Sequence, residues 1–221
     1  MATSQSVNLV TLTDPQSAVS EAYRTLRTNL EFTALAGELR ALVVTNPAAT
    51  EGKSTALANL AVTMAQGGRS IIIVDADMRR PAQHTIFGVA DSPGLSNALL
   101  DETLILNPPL VETGVAGLRL LPAGPRPPNP AELLGSPRMA QLIESLKQKA
   151  EIVLFDAPPV VLVTDAAILG ARTDGVLLVL QAGKTKREHA ARARALLEQV
   201  GARIVGTALT NARAVSDLSG Y

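Results

Sequence analysis

The sequence predicts a doubly wound α/β fold built on a mostly parallel sheet. Six short apolar runs rich in Val, Ile and Leu are separated by segments with helical patterning. The runs are continuous rather than alternating, which is typical of parallel strands buried on both faces. They occupy residues 41–45, 71–74, 118–121, 152–155, 176–180 and 204–209.

Helices are predicted around these runs. Asp14-Pro15 fits an N-cap followed by proline at the first helical position, so we expect an N-terminal helix over about 15–35, before the first strand. A second start is expected at Asn129-Pro130, where Glu132 is placed to complete a capping box. Further helical patterns cover 54–65, 139–149 and 188–200. Residues 81–117 are mixed, and we expect short helices and loops there, over the carboxyl edge of the sheet.

Length and composition narrow the class of protein. A chain of 221 residues suits a single α/β domain over 1–221, with a short tail over about 212–221. The 20 basic and 20 acidic residues balance, which argues against a nucleic-acid partner. The absence of cysteine excludes disulfides, thiolate-bound zinc and thiol catalysis. No run approaches the ~18 apolar residues of a membrane span, and residues 1–13 lack a signal-peptide pattern. We therefore expect a soluble, cytoplasmic protein.

A phosphate-binding loop is predicted after the first strand. Gly52-Lys53-Ser54 stands between an apolar run and a helix, as a phosphate loop requires. Backbone N–H groups at the helix start cradle phosphates, a lysine adds charge, and a hydroxyl ligates Mg²⁺. The first glycine of the full consensus is replaced by Pro47. The tripeptide alone is therefore a weak signal, and chance would explain it about as well.

Three carboxylates strengthen this interpretation. Asp75 and Asp77 follow the second run, and Asp156 follows the fourth. Carboxyl ends of parallel strands meet at one edge, so we expect these groups beside the loop. Mg²⁺ prefers such oxygen ligands, and a carboxylate near the γ-phosphate can also deprotonate an attacking hydroxyl. Single acidic residues at strand ends often only cap helices. The phosphate loop and the two acidic strand ends together favour a Mg-ATP site.

At this point the chain resembles the bacterial tyrosine kinases of capsule and exopolysaccharide synthesis, over nearly its whole length. The resemblance rests on an E-x-x-R-x-x-R element, on Walker A, A′ and B segments and on a Pro-Asn-Pro stretch. The E-x-x-R-x-x-R element occupies 21–27, and the Walker A, A′ and B segments occupy 51–55, 72–81 and 152–159, respectively. The Pro-Asn-Pro stretch is 128–130. The A′ segment and the E-x-x-R-x-x-R element are far more specific than the phosphate loop.

The resemblance implies a P-loop tyrosine autokinase that uses ATP and Mg²⁺. It implies that Lys53 contacts phosphates, that Ser54 and Asp156 hold Mg²⁺ with support from Asp77, and that Asp75 accepts the tyrosine proton. The expected nucleotide contacts are Thr50, Glu51, Gly52, Lys53, Ser54, Thr55, Asn211 and Arg213. Asn211 could equally do no more than terminate the last strand.

The resemblance also implies partners and a location. Glu21, Arg24 and Arg27 recur every three residues and would share a helix face that joins subunits into a ring. Without the other motifs, we would interpret this face as a solvated one with internal ion pairs. A membrane-bound polysaccharide co-polymerase-type adaptor would hold the kinase at the inner face of the cell membrane. A phosphotyrosine phosphatase would oppose it.

The chain departs from the family pattern in two places. Thr50 stands where relatives usually carry glycine, and a β-branched residue resists positive φ. Family kinases usually end in a tyrosine cluster, whereas Tyr221 is the one tyrosine at this end of the chain.

Two alternatives remain open. A partition-type P-loop ATPase shares the A′ architecture, but its signature lysine would stand at Ala48. The other is a nucleotide-gated scaffold with little kinase activity.

Overall fold

The computed structural model describes residues 8–35, 37–49 and 51–212. Within them, seven strands form one sheet in the order β3-β4-β2-β5-β1-β6-β7, and every pairing is parallel except the antiparallel pair β3-β4. The strands are β1 Ala41–Thr45, β2 Ile71–Asp75, β3 Val111–Glu112, β4 Leu118–Leu121, β5 Ile152–Asp156, β6 Gly175–Gln181 and β7 Ile204–Thr210. The predicted fold class is confirmed.

Ten helices connect the strands in the described ranges. They are α1 Val10–Thr13, α2 Ala18–Leu35, α3 Lys53–Gln66, α4 Gln83–Phe87, α5 Leu95–Leu100, α6 Thr103–Leu106, α7 Pro130–Gly135, α8 Pro137–Lys149, α9 Asp165–Gly170 and α10 Arg187–Gln199. Of the helices described, none has the length and apolar character to cross a bilayer.

The two faces of the sheet bury separate apolar clusters. Along β1, Ala41 and Val43 point to the cluster that contains residues of α5, α8 and α10. Leu42 and Val44 point to the other cluster, which contains most of α3 and Leu30 of α2. The residues that point to either face of the sheet are apolar because helices cover both faces. This double burial explains why the strands appear in the sequence as unbroken apolar runs.

The capping predicted at two helix starts differs from the structure. Asp14 follows α1, and the long helix α2 begins only at Ala18, where the Ser17 hydroxyl accepts the N–H of Ser20 at 3.2 Å. A serine therefore occupies the capping position predicted for Asp14. At α7, Pro130 is the first helical residue as expected, but Asn129 donates its side-chain amide to Glu132 (3.1 Å) and makes no cap hydrogen bond.

Residues 81–117 form the short helices α4, α5 and α6, as predicted, and also the unexpected edge strand β3. The two residues of β3 pair in register with Leu120 and Arg119 of β4. Two residues are too short to produce a period in the sequence. Edge pairing therefore creates a strand that local patterning does not reveal.

Candidate active site

The phosphate loop joins β1 to α3 at the carboxyl edge of the sheet. Gly52 precedes the helix in the left-handed region, with φ of 74°, and Lys53 is the first helical residue. A side chain at position 52 would be strained by this φ, so glycine is required on conformational grounds. Thr50 lies outside the described residues.

Glu51 fixes the loop to distant parts of the chain. Its carboxylate is buried and accepts hydrogen bonds from the Thr185 hydroxyl (2.6 Å) and the Asn46 amide (3.1 Å). Its carbonyl oxygen accepts one from the Thr210 hydroxyl at 3.1 Å. Thr185 and Thr210 follow and end β6 and β7, respectively. The loop is thus held by the carboxyl ends of β6 and β7, the two strands on one side of β1.

The strands place two of the predicted carboxylates side by side. Asp75 ends β2, Asp156 ends β5, and the two residues are register partners in these parallel strands. Both are fully buried. The Lys53 ammonium contacts Asp156 Oδ1 and lies 3.3 Å from the Ser54 hydroxyl. The sheet therefore brings together Lys53, Ser54, Asp75 and Asp156, as the sequence predicted.

Asp75 lies beneath the cleft surface. Its Oδ2 accepts the backbone N–H groups of Ala82 and Gln83, each at 2.9 Å, and its Oδ1 has no hydrogen-bond partner among the residues described. Burial raises the pKa of Asp75 well above its ordinary value, and the neighbouring Asp156 raises it further. A carboxylate with a raised pKa is the better proton acceptor at neutral pH.

Of the three predicted aspartates, Asp77 is the one that lines the cleft. The cleft has a volume of about 300 Å³, and its lining includes Lys53, Ser54, Asp77 and Arg80. Asp77 Oδ1 accepts the Arg80 N–H at 3.0 Å, and burial is the main cause of its raised pKa. Asp77 therefore has direct access to a ligand, which Asp75 lacks in this arrangement.

The donor set fits a Mg²⁺ ion that arrives with a nucleotide. In the described part of the chain, no three His, Cys, Asp or Glu side chains converge closely enough to hold a metal by themselves. Mg²⁺ usually keeps several waters and is bound by one or two carboxylates together with substrate phosphates. The hydroxyl of Ser54 and the carboxylate of Asp77 line the cleft and are oxygen groups of this kind, and the fully buried carboxylate of Asp156 contacts Lys53. Lys53 supplies the compensating charge.

The hydrogen bonds of two residues, one in the A′ segment and one just beyond it, were missed by sequence reasoning. Gln83, the first residue of α4, is fully buried and donates to both Asp156 and the Ser54 carbonyl. Arg79 forms a bidentate pair with the buried Asp165 of α9, at 2.9 and 3.0 Å. Gln83 is uncharged and lies just beyond the A′ segment. Its position two residues after Pro81, at the ligand edge, was the available signal.

The other predicted nucleotide contacts are placed less closely. Asn211 directly follows β7 with φ of 54° and lines a separate cavity of about 640 Å³, beside Tyr23 of α2. It does not line the phosphate cleft. Arg213 and Tyr221 lie outside the described residues.

The predicted oligomerisation face is only partly displayed. Glu21 and Arg24 form an ion pair of 2.6 Å on the surface of α2. Arg27 is instead directed inward, where it donates to the carbonyl oxygen of Thr63 in α3 at 2.8 Å. The three side chains share one helix, but the guanidinium of Arg27 stabilises its own subunit.

Comparisons with known proteins identify the family. No protein-family model matches the chain. The chain is 39% identical to tyrosine-protein kinase YwqD of Bacillus subtilis strain 168 over 214 residues, which cover 97% of this chain and 90% of that protein. The kinase domain of Escherichia coli tyrosine kinase ETK superposes with a TM-score of 0.89 at 32% identity, covering 96% of this chain and 83% of that one.

A more distant structure shares the fold. Cobyrinic acid a,c-diamide synthase from Mycobacterium smegmatis, with bound ATP analog and magnesium, matches with a TM-score of 0.65 at 19% identity, covering 77% of this chain and 70% of that one. Such low identity shows the fold alone. The likeness to YwqD over most of both chains separates the tyrosine kinases from the partition-type alternative. The chain therefore belongs to the family of bacterial tyrosine-protein kinases.

Proposed function

We propose that this chain binds Mg-ATP in the cleft beside Lys53 and transfers the γ-phosphate to tyrosine, including Tyr221 of another copy. The observation that carries the proposal is the contact of Lys53 with Asp156, beside the Ser54 hydroxyl and at the ends of paired strands. A lysine, a hydroxyl and a carboxylate at one sheet edge are the groups that P-loop phosphoryl transfer employs.

The residues divide the work as follows. Lys53 contacts the β- and γ-phosphates, and Ser54, Asp77 and Asp156 hold Mg²⁺. When bound, Mg²⁺ neutralises charge on the phosphates. Asp75 accepts the proton of the tyrosine hydroxyl, for which its raised pKa is suited. Because Asp75 is fully buried, the hydroxyl reaches it only if the residues that cover it move aside.

Glu51, Gly52 and Thr55 complete the phosphate loop in this proposal, together with Thr50. Asn211, with Arg213, contacts the adenine from the end of β7. The hydrogen bond from Thr210 to the Glu51 carbonyl supports this arrangement, since it joins the end of β7 to the loop.

The test is phosphotyrosine formation. The purified protein is incubated with Mg-ATP and probed with an anti-phosphotyrosine antibody, and mass spectrometry locates the phosphate. We expect a signal at Tyr221 that Lys53→Met abolishes. Lys147→Met is the matched control. Lys147 lies on α8, away from the cleft, and also pairs with a carboxylate, that of Asp174 at 3.3 Å. ATP hydrolysis without phosphotyrosine would instead favour the ATPase alternative, and nucleotide binding without either reaction would favour a scaffold.

The base assignment has its own test. Asp75→Asn should slow phosphoryl transfer by roughly 10²–10⁴-fold, as expected for a lost general base, and leave nucleotide binding nearly unchanged. Asp156→Asn should weaken Mg²⁺-dependent nucleotide binding. Wild-type turnover in Asp75→Asn would show that Asp75 is not the base.

Ring formation through α2 is the proposed route to transfer between subunits. Glu21 and Arg24 are on the surface of this helix, and Arg27 reaches an interface only if it leaves Thr63. Bidentate arginine–carboxylate pairs across an interface would orient the subunits. Glu21→Ala, Arg24→Ala and Arg27→Ala combined should give a monomer by light scattering that binds ATP but phosphorylates Tyr221 poorly. An unchanged assembly mass excludes α2 as the interface.

The biological setting is proposed from the family resemblance. The kinase regulates capsular or exopolysaccharide synthesis and export, at the inner face of the cell membrane, through a membrane-bound adaptor of the co-polymerase type. A phosphotyrosine phosphatase reverses the modification. We expect the isolated chain to be a poor kinase that the adaptor's cytoplasmic segment activates. Full activity of the purified protein alone would contradict the adaptor requirement.

A further inference from the structure

Gln83 occupies an unusual position for an uncharged polar residue. It is the first residue of α4 and is fully buried. Burying an amide is unfavourable unless its polar atoms find partners. The side chain donates to Asp156 Oδ2 at 2.6 Å and to the Ser54 carbonyl oxygen at 3.1 Å. Both partners are acceptors, so the amide nitrogen must be the atom that faces them.

One residue thereby joins three parts of the active site. The side chain of Gln83 connects β5, which carries Asp156, to the start of α3, which carries Ser54. Its backbone N–H donates to Asp75 Oδ2 at 2.9 Å and so reaches the end of β2. Among the described residues, Gln83 Oε1 has no hydrogen-bond partner. The hydrogen bonds from the Gln83 side chain to these residues are therefore all donated by its amide N–H₂. A shift of α4 is therefore transmitted to all three elements.

The two oxygens of Asp156 have different partners. Oδ1 contacts the Lys53 ammonium, and Oδ2 receives the Gln83 amide. The amide fixes the plane of the carboxylate and leaves Oδ1 on the side of Lys53 and Ser54, where a metal–phosphate group would lie. If the amide is removed, the carboxylate is free to turn and engage Lys53 with both oxygens. A neutral donor achieves this orientation without adding charge beside Asp75 and Asp77.

We propose that Gln83 is a positioning residue that orients Asp156 toward the metal of the bound nucleotide. The inference rests on the proposed Mg-ATP site and adds one residue to it that touches neither metal nor phosphate. Partners that orient a metal ligand typically change metal affinity or activity 10–100-fold when they are removed.

The test measures nucleotide binding rather than turnover. Affinity for a fluorescent ATP analogue is measured in EDTA and across a Mg²⁺ titration, for the wild type and for Gln83→Met, which keeps the side-chain length but lacks the donor. We expect the apparent Mg²⁺ dissociation constant to rise about 10–100-fold. We expect the affinity in EDTA to stay close to that of the wild type. Gln66→Met is the matched control, because Gln66 is an exposed residue of α3 whose amide donates to the Thr11 carbonyl.

The route through Asp156 is tested in a second background. Because Gln83 acts through Asp156, adding Gln83→Met to Asp156→Asn should not weaken Mg²⁺ dependence further. An additional loss in the double variant would overturn that route. If Gln83→Met does not fold, Gln83→Asn shortens the amide by one methylene and should give a smaller loss of the same kind.

The outcomes separate this inference from the proposed function. If the wild type shows no Mg²⁺-dependent nucleotide binding, the Mg-ATP site fails and this inference fails with it. If the wild type shows such binding and Gln83→Met retains the wild-type Mg²⁺ dependence, only the role of Gln83 is wrong. Equal weakening in EDTA and in Mg²⁺ would also overturn it, since that pattern indicates general disruption.

Discussion

The buried pair of Lys53 and Asp156 should have a large effect on folding stability as well as on catalysis. Their side chains are 7% and 0% exposed, and Asp75 and Asp77 lie nearby with 0% and 7% exposure. Lys53→Met removes the lysine that compensates these carboxylates. Breaking a buried ion pair by removing one partner costs about 3–5 kcal/mol.

We place the cost at the lower end of that range because protonation limits it. Lys53 lowers the pKa of Asp75 and of Asp77, against the larger raising effect of burial. Without Lys53 both pKa values rise further, and protonation of a carboxylate limits the cost of burying it without a counter-charge. We therefore expect about 3 kcal/mol near pH 7.

The pH dependence follows from the sign of these shifts. A carboxyl whose pKa is raised in the folded state destabilises the protein increasingly as the pH rises from its unfolded pKa to its folded pKa. Below the unfolded value of about 3.9 it is protonated in both states, so this effect disappears. The difference between wild type and Lys53→Met should therefore grow as the pH rises from the raised pKa values of the wild type to the still higher pKa values of the variant.

The assay is urea unfolding followed by circular dichroism, without nucleotide or Mg²⁺. Asp156→Asn and the double variant complete a mutant cycle, and the double variant should recover at least about 1 kcal/mol relative to the sum of the two single changes. Lys147→Met serves as the control, because its carboxylate partners Glu144 and Asp174 are 68% and 20% exposed and should contribute at most about 1 kcal/mol. If the two single costs add within about 0.5 kcal/mol, or if Lys53→Met is as stable as the wild type, the coupling inferred from the structure is wrong.

Three further predictions concern single residues. Asp75→Asn should increase the free energy of unfolding at neutral pH, since the folded state no longer bears the cost of ionising Asp75; urea titrations at about pH 4 and 7 should show the gain only at the higher value, and a loss at both would contradict it. Gly94→Ala should destabilise by about 1–3 kcal/mol in thermal unfolding, because its Cβ would lie 2.3 Å from the Pro122 carbonyl oxygen; an unchanged midpoint would mean that this backbone yields freely. Thr185→Val leaves the Glu51 carboxylate without its hydroxyl donor, so it should cost about 1–3 kcal/mol in urea unfolding, whereas Thr185→Ser should behave like the wild type.

The sequence revealed the parts of the fold that depend on local burial. The run predicted over 41–45 is β1 with the same bounds, and the second run extends by one residue to Asp75. Strands covered on both faces must be apolar at every position. They can therefore be recognised in the sequence without knowing which strands are their neighbours in space. The carboxylates followed from the same logic, because the ends of parallel strands share one edge.

The remaining features depend on contacts between distant residues. The hydroxyl of Thr185 bonds Glu51 across 134 positions of the sequence, and Gln83 reaches Asp156 across 73. Neither threonine nor glutamine carries a charge that draws attention to a site. The start of α2 was misplaced for a different reason: Asp14-Pro15 is a sound capping signal, but the short helix α1 uses that turn as its own end.

The strand order has a consequence for how the protein is made. The first of the described strands to be synthesised, β1, lies in the sheet between β5 and β6, with Ala41 beside Val153 and Leu42 beside Gly175. These partners are more than about 110 residues downstream, so at ~5–20 residues per second β1 waits on the order of 5–20 s for its first neighbour. During that interval β5 and β6, the two strands that flank the largely apolar β1 in the sheet, have not yet been synthesised. The nascent chain should therefore depend on chaperones between the synthesis of β1 and that of β5, and substitutions that slow translation of this stretch should increase aggregation without altering the finished enzyme.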